Sequence, residues 1–280
     1  MSKADEYGHI RIEPDEPVTA GSRGTWRIIY TAGTRGMAVG GALRIRPPQR
    51  GMVRWEVGMV TAEASSPGAT CRVQLFNCYP ITYHWRQAPT IQVDLLGTPL
   101  APGDGITVTI GERGGYSRGY FVRACAQDHA HRGAIWDAWV DTEGNKSLPP
   151  ERTIDDPWAP LEPAIMDVRP APPARLSVVA RQPGPGEQAA RVLICARDRY
   201  DNFCDQYQGR IRVLGDTRED DVNVQDGRAV LELPALPARV TRHCACDAHA
   251  ELIGTSSPVA PGFGGVSGHA VYFGDLHVMT

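Results

Sequence analysis

Short alternations of apolar and polar residues recur along the chain, and each is closed off by Gly, Pro, Asp or Asn. In GITVTIG (105–111), Ile106, Val108 and Ile110 share one side and threonines the other, the period-two pattern of a half-buried strand. PLAPGDG ahead of it is a turn, because Pro102 presets φ and Gly103 accepts positive φ. Comparable strand patterns are GTWRIIYT (24–31), MAVGGALRI (37–45), TCRVQLFNCY (70–79), TIQVDLL (90–96), GYFVRACA (119–126) and AIWDAWVD (134–141). A second series follows: ARLSVVAR (174–181), ARVLICAR (190–197), GRIRVLG (209–215), GRAVLELP (227–234) and ARVTRHCACD (238–247). Within it, Val192 and Ile194 face opposite to Arg191 and Leu193, and Ile211 and Val213 alternate with Arg210 and Arg212.

The two series predict an all-β chain of two β-sandwich domains, the second immunoglobulin-like by its number of strands in about 95 residues. Between them lies SLPPERTIDDPWAPLEPAIMDVRPAPPARL, whose prolines disfavour a helix interior or a central strand. The expected organisation is an N-terminal sandwich over 1–148, a proline-rich linker over 149–173 and an immunoglobulin-like sandwich over 174–268. Residues 269–280 form a separate terminal piece.

Composition sharpens this picture without naming a function. Thirty glycines and 23 prolines in 280 residues punctuate the apolar runs, which disfavours long helices. No run reaches the roughly 18–20 apolar residues of a membrane-spanning helix, so no membrane partner is expected. A net charge of −3 gives no general attraction to nucleic acid. The start, MSKADEYGHIRIEPDEP, lacks a basic stretch followed by an apolar core, and the cysteine count of seven is odd. Together these predict reduced thiols and a cytoplasmic location. Spacing leaves open small loops closed by Cys71–Cys78 or Cys195–Cys204.

Several clusters invite a chemical reading. Asp198, Asp201, Asn202 and Asp205 in DRYDNFCDQYQG suggest calcium, but the loop lacks a glycine-centred twelve-residue pattern with a terminal Glu, and turn chemistry is the stronger reading. His243, Cys244, Cys246 and His249 suggest zinc, but no second ligand pair is evident, which favours strand packing. His129 and His131 are expected in an exposed loop. Trp26, Trp136 and Trp139 are expected in the core, and Trp85 is the best candidate for an exposed sugar platform. GERGGYSRG (111–119) matches no phosphate-binding pattern, and no serine stands in a nucleophile elbow.

The terminal VYFGDLHVMT (271–280) carries more information. Its GDLHVMT closely resembles the GDLHxHT box that opens the catalytic domain of a family catalogued as domain of unknown function thirty-six-oh-four. That family is similar to the polymerase-and-histidinol-phosphatase (PHP) metal-dependent phosphoesterases. Upstream, residues 21–45 and 99–115 look like the region that precedes the box in this family. Residues 190–213 look like its D-x-x-G-N segment, with Asp201 in the glycine position. The resemblance implies a barrel active site holding a divalent metal (Zn, Mn or Mg) in the full-length parent, with Asp275 and His277 as the ligands contributed here. The second histidine of the box is Met279 in this chain, a soft donor poorly suited to those ions, and three residues follow His277. A barrel takes roughly 200 or more residues. The expected role is therefore an accessory region of a metal-dependent hydrolase, inactive alone and without a cofactor of its own. The competing reading is a stand-alone sandwich that binds a glycan or a protein. No specific partner is identified, and self-association through the terminal apolar strand is the one contact expected.

Overall fold

Alternating patterns become strands throughout the computed structural model, which describes residues 3–50, 53–76, 90–112, 123–144, 158–181, 190–215, 218–233, 241–249 and 251–258. The chain divides into two compact units, Met1–Arg169 and Pro170–Thr280. Among the described residues one helix occurs, the single-turn Lys3–Tyr7.

The first unit is a sandwich. One antiparallel sheet orders its strands His9–Glu13, Trp26–Thr31, Gly105–Ile110 and Val60–Ala64. The opposing sheet runs Val18–Thr19, Ala164–Arg169, His131–Asp141, Ala42–Arg46, Thr90–Leu96 and Thr70–Phe76, with Ala159–Pro160 added beside His131–Asp141. Ile106, Val108 and Ile110 are fully buried, as their alternation requires, and face Leu43, Ile45, Ile91 and Val93 of the opposing sheet's inner side across the core. Trp55 bridges the sheets, edge-on to Trp26 at 4.8 Å and to Trp136 at 5.1 Å between ring centroids. Such ring pairs add stability beyond the area they bury.

The second unit packs a three-stranded sheet (Pro173–Arg181, Ala190–Asp198, Arg228–Leu233) on a four-stranded one (Glu219–Val224, Gly209–Leu214, Cys244–Asp247, Ile253–Thr255). Val178, Val192, Ile194 and Ala229 from the first sheet meet Ile211, Val213 and Ala245 from the second in one apolar core. Among the described residues, seven strands in two sheets match the immunoglobulin-like count.

Two expectations need correction. The linker predicted over 149–173 does not survive in its second half, and the first unit does not stop at 148. Residues 164–169 are an internal strand, paired with Val18–Thr19 on one side and His131–Asp141 on the other. Ala164, Met166 and Val168 alternate inward, so the segment has the period of a strand despite the prolines that flank it. Residues 149–157 and 269–280 lie outside the described residues.

Candidate functional site

Loops at one end of the first unit enclose an open pocket of about 430 Å³. Three segments build it. Met37 exchanges two backbone hydrogen bonds with Leu100, at 3.0 and 2.9 Å, and Ala38 N–H donates to Thr142 O at 2.8 Å. Gly36 makes the first loop possible. Its φ is +63°, and a Cβ there would stand 2.4 Å from Leu100 O. The buried Asp141 carboxylate fixes the third segment, its Oδ1 accepting from the amides of Glu143 and Gly144 at 3.0 Å each.

The pocket presents apolar surface through the exposed Ala38 and Pro99, while Met37 and Leu100 are themselves buried. Its rim is charged. Arg35 Nε donates to Glu6 Oε1 at 2.7 Å, Arg35 Nη1 reaches Glu143 Oε1 at 3.4 Å, and the guanidinium lies 5.0 Å over the Tyr7 ring. The hydrogen bond it donates to Glu6, then the charges of Tyr7 and Glu6, hold the Arg35 pKa above its ordinary value. A cation braced by two carboxylates beside apolar surface can bind a small polar molecule.

A second polar assembly lies on the outward face of the larger sheet. Asp94 is fully buried. Its Oδ2 accepts from Arg72 Nη2 at 2.7 Å and Gln74 Nε2 at 2.6 Å, while Oδ1 accepts from Gln92 Nε2 at 2.8 Å. Gln92 Oε1 in turn accepts from Arg44 Nε at 3.0 Å. The Arg44 guanidinium stacks 3.8 Å from the centroid of the Trp158 ring, and Arg46 lies 4.8 Å from that of Trp139. Burial pushes Arg44 down to about 10, opposed by the charges of Asp94 and Asp141. These side chains bond one another, so the assembly braces the sheet.

The residues singled out from sequence fall into clear classes. Asp198 is the acceptor at the centre of a turn: Oδ1 takes the amides of Tyr200 and Asn202, and Oδ2 takes the amide of Ala171 and the side-chain amide of Asn202. Asp201 holds φ at +72°, the conformation for which a glycine is usual, and its carboxylate pairs with Arg175 at 2.5 Å. Turn chemistry therefore explains Asp198, Asp201 and Asn202.

In the strand Cys244–Asp247 the core residue is Ala245, and both cysteines are half-buried on the outer side. His243 and Ala245 point inward. Among the described residues, no group of three or more His, Cys, Asp or Glu is arranged to hold a metal ion. Cys71, Cys125, Cys195, Cys204, Cys244 and Cys246 are all free. Burial raises Cys71 and Cys204 to about 11, which makes them poor nucleophiles. His131 opens a strand where a loop was expected, while His129 stays in a turn. Trp26 and Trp136 are core residues as expected, but Trp139 is half-buried on the outward face beneath Arg46. Cys78, Trp85, Asp275, His277 and Met279 lie outside the described residues.

Sequence reading missed the pocket altogether. The available signal was the glycine-rich stretch around Gly36, whose only charged member is Arg35, recurring beside a second acidic turn at Glu143.

His243 yields a pH prediction. The residue is 6% exposed, and among the described residues its Nε2 is buried without a hydrogen-bond partner. Burial lowers its pKa below 6.5, with Asp220 opposing. The unfolded chain therefore binds this proton before the folded one does. Stability is full above the unfolded value and is lost as pH falls toward the folded value. Denaturation monitored by far-UV circular dichroism should show the second unit losing at most about 1.4 kcal/mol per pH unit below pH 6.5 from this group. His243→Gln should flatten that slope, and an unchanged slope in the variant contradicts the assignment.

No protein-family model matches the chain, and no curated protein sequence matches it. Solved structures with similar chains include the D00-D0 domain of intimin (TM-score 0.30, 9% identity), covering 90% of this chain and 99% of that one. The D0-D1 domain of intimin gives TM-score 0.23 and 8% identity, covering 90% and 96%. The pilus backbone RrgB from Streptococcus pneumoniae gives 0.29 and 11%, covering 90% of this chain and 56% of that one.

Proposed function

We propose that the chain is the non-catalytic β-sandwich accessory region of a metal-dependent hydrolase similar to the PHP phosphoesterases. The observation that supports this reading is the order of its parts, two β-sandwich units followed by the GDLHVMT box with Asp275 and His277. The donors of that box do not make a metal centre on their own. One carboxylate, one imidazole and the thioether of Met279 are too few and too soft for Zn, Mn or Mg, and no reaction step is assigned to them. A second reading, a stand-alone binding module, is favoured by the end pocket with its Arg35 and Glu143 rim.

The test is an assay of the chain against bis-p-nitrophenyl phosphate with added Mn²⁺, Zn²⁺ or Mg²⁺. No turnover is expected, and Met279→His alone should create none. Metal-dependent turnover that disappears in His277→Ala would mean that these 280 residues are an enzyme. Sequencing the source DNA past the Thr280 codon separates the two non-catalytic readings. An open frame with further His, Asp and Glu clusters supports the accessory role, and unrelated sequence after a stop supports the stand-alone module.

A further inference from the structure

We propose that the end pocket of the first unit binds a neutral, hydroxyl-rich ring the size of one monosaccharide. The inference is independent of the hydrolase reading. At about 430 Å³ the pocket falls in the range of roughly 300–1,000 Å³ common to small-molecule sites. The exposed Ala38 and Pro99 give it apolar surface for the C–H face of a sugar ring. Its rim supplies both halves of a hydroxyl contact, since Arg35 donates and Glu143 accepts, and adjacent hydroxyls can serve each at once.

Charge decides against ionic ligands. Arg35 pairs with Glu143 on the rim and with Glu6, outside the lining, so one positive and two negative groups set the local charge. An anion meets net negative charge, and a cation must compete with Arg35 for the carboxylates. A neutral polyol meets neither penalty. The site is also fixed before binding. Glu6 and the Tyr7 ring hold Arg35, Asp141 holds the 141–144 turn, and the Met37–Leu100 backbone pair holds the other two segments together. Little conformational entropy remains to be lost when a ligand arrives.

The experiment is an amide-shift NMR titration of the full chain with D-glucose, D-galactose, D-mannose and N-acetyl-D-glucosamine, and with D-glucuronate and D-glucosamine as charged comparisons. At least one neutral sugar should produce saturable shifts confined to residues 35–38, 100 and 142–144. Glucuronate and glucosamine should bind more weakly than glucose. Glu143→Gln, which changes one exposed acceptor, should weaken the neutral sugar by about tenfold. Ala38→Phe, which fills the pocket from an exposed position, should abolish the shifts while preserving the remaining spectrum. The proposal is overturned if no neutral sugar gives saturable shifts, if either charged sugar binds better than glucose, or if binding is unchanged in Glu143→Gln. Should Ala38→Phe not fold, the Glu143→Gln comparison and the charge series decide the matter alone.

Discussion

Asp198→Ala should destabilise the second unit by about 3–5 kcal/mol, a large part of the roughly 5–15 kcal/mol that holds a domain folded. The carboxylate is fully buried and accepts four hydrogen bonds of 2.8–2.9 Å, three from backbone amides of Ala171, Tyr200 and Asn202 and one from the Asn202 side chain. Alanine strands all four donors where water cannot replace the oxygen atoms. All six tryptophans of the chain precede residue 170, so their fluorescence reports on the first unit only. Denaturation followed by far-UV circular dichroism should show an early transition in the variant, while the tryptophan transition stays where it was. Asp198→Asn, which keeps one acceptor, should fall between. A variant within about 1 kcal/mol of wild type would show that the turn forms without its central carboxylate.

That turn was partly legible in sequence, and the reason is local. Asp198 and Asn202 are four residues apart, and acid or amide side chains bonding nearby amides is a short-range rule. The strands were legible on the same terms. Ile106, Val108 and Ile110, or Val192 and Ile194, announce their buried face by period alone, and each is completely buried. The strand Glu219–Val224 was not read, because EDDVNV presents three acids, although it pairs residue for residue with Gly209–Leu214. Its acids face arginines across the strands, Asp221 on Arg210 and Glu219 on Arg212. Residues 164–169 were hidden by neighbouring prolines. The cysteines at 244 and 246 had the right spacing for one face, but period two cannot say which face is inside.

The pocket was illegible for a different reason. Arg35, Leu100 and Glu143 are separated by tens of residues and meet only because strand pairing sets where the loops close. The same holds for Arg44, Arg72, Gln92 and Asp94, which the sheet buries or bonds together. Register makes that network: Gln92 lies opposite both Arg44 and Gln74, and Asp94 lies opposite Arg72. A slip of two residues in any one of these pairings would leave a buried charge without its partner, so the network specifies register as well as bearing load.

Asp94→Ala should cost the first unit about 3–5 kcal/mol, whereas Arg72→Ala should cost less than about 1 kcal/mol. The two partners of one ion pair differ because Asp94 is fully buried while the Arg72 side chain is 61% exposed. Truncating Arg72 takes away the two bonds from its Nε and Nη2 and leaves Asp94 its bonds from Gln74 and Gln92. Truncating Asp94 leaves Gln92 and the buried Arg44 guanidinium facing a void with a charge gone. Arg44 cannot easily escape by releasing its proton, since even its depressed value of about 10 keeps it charged at neutral pH. Trp158 packs on that guanidinium, so the loss should appear in tryptophan fluorescence as an earlier denaturation midpoint. The decisive comparison is the double variant Asp94→Leu with Arg44→Met. Removing both charges together and refilling their volume should recover much of the single-variant loss, because Arg44 is no longer left buried without Asp94. Additive losses in the double variant would instead show that Asp94 and Arg44 stabilise the sheet separately, and the account of a single coupled network would fail.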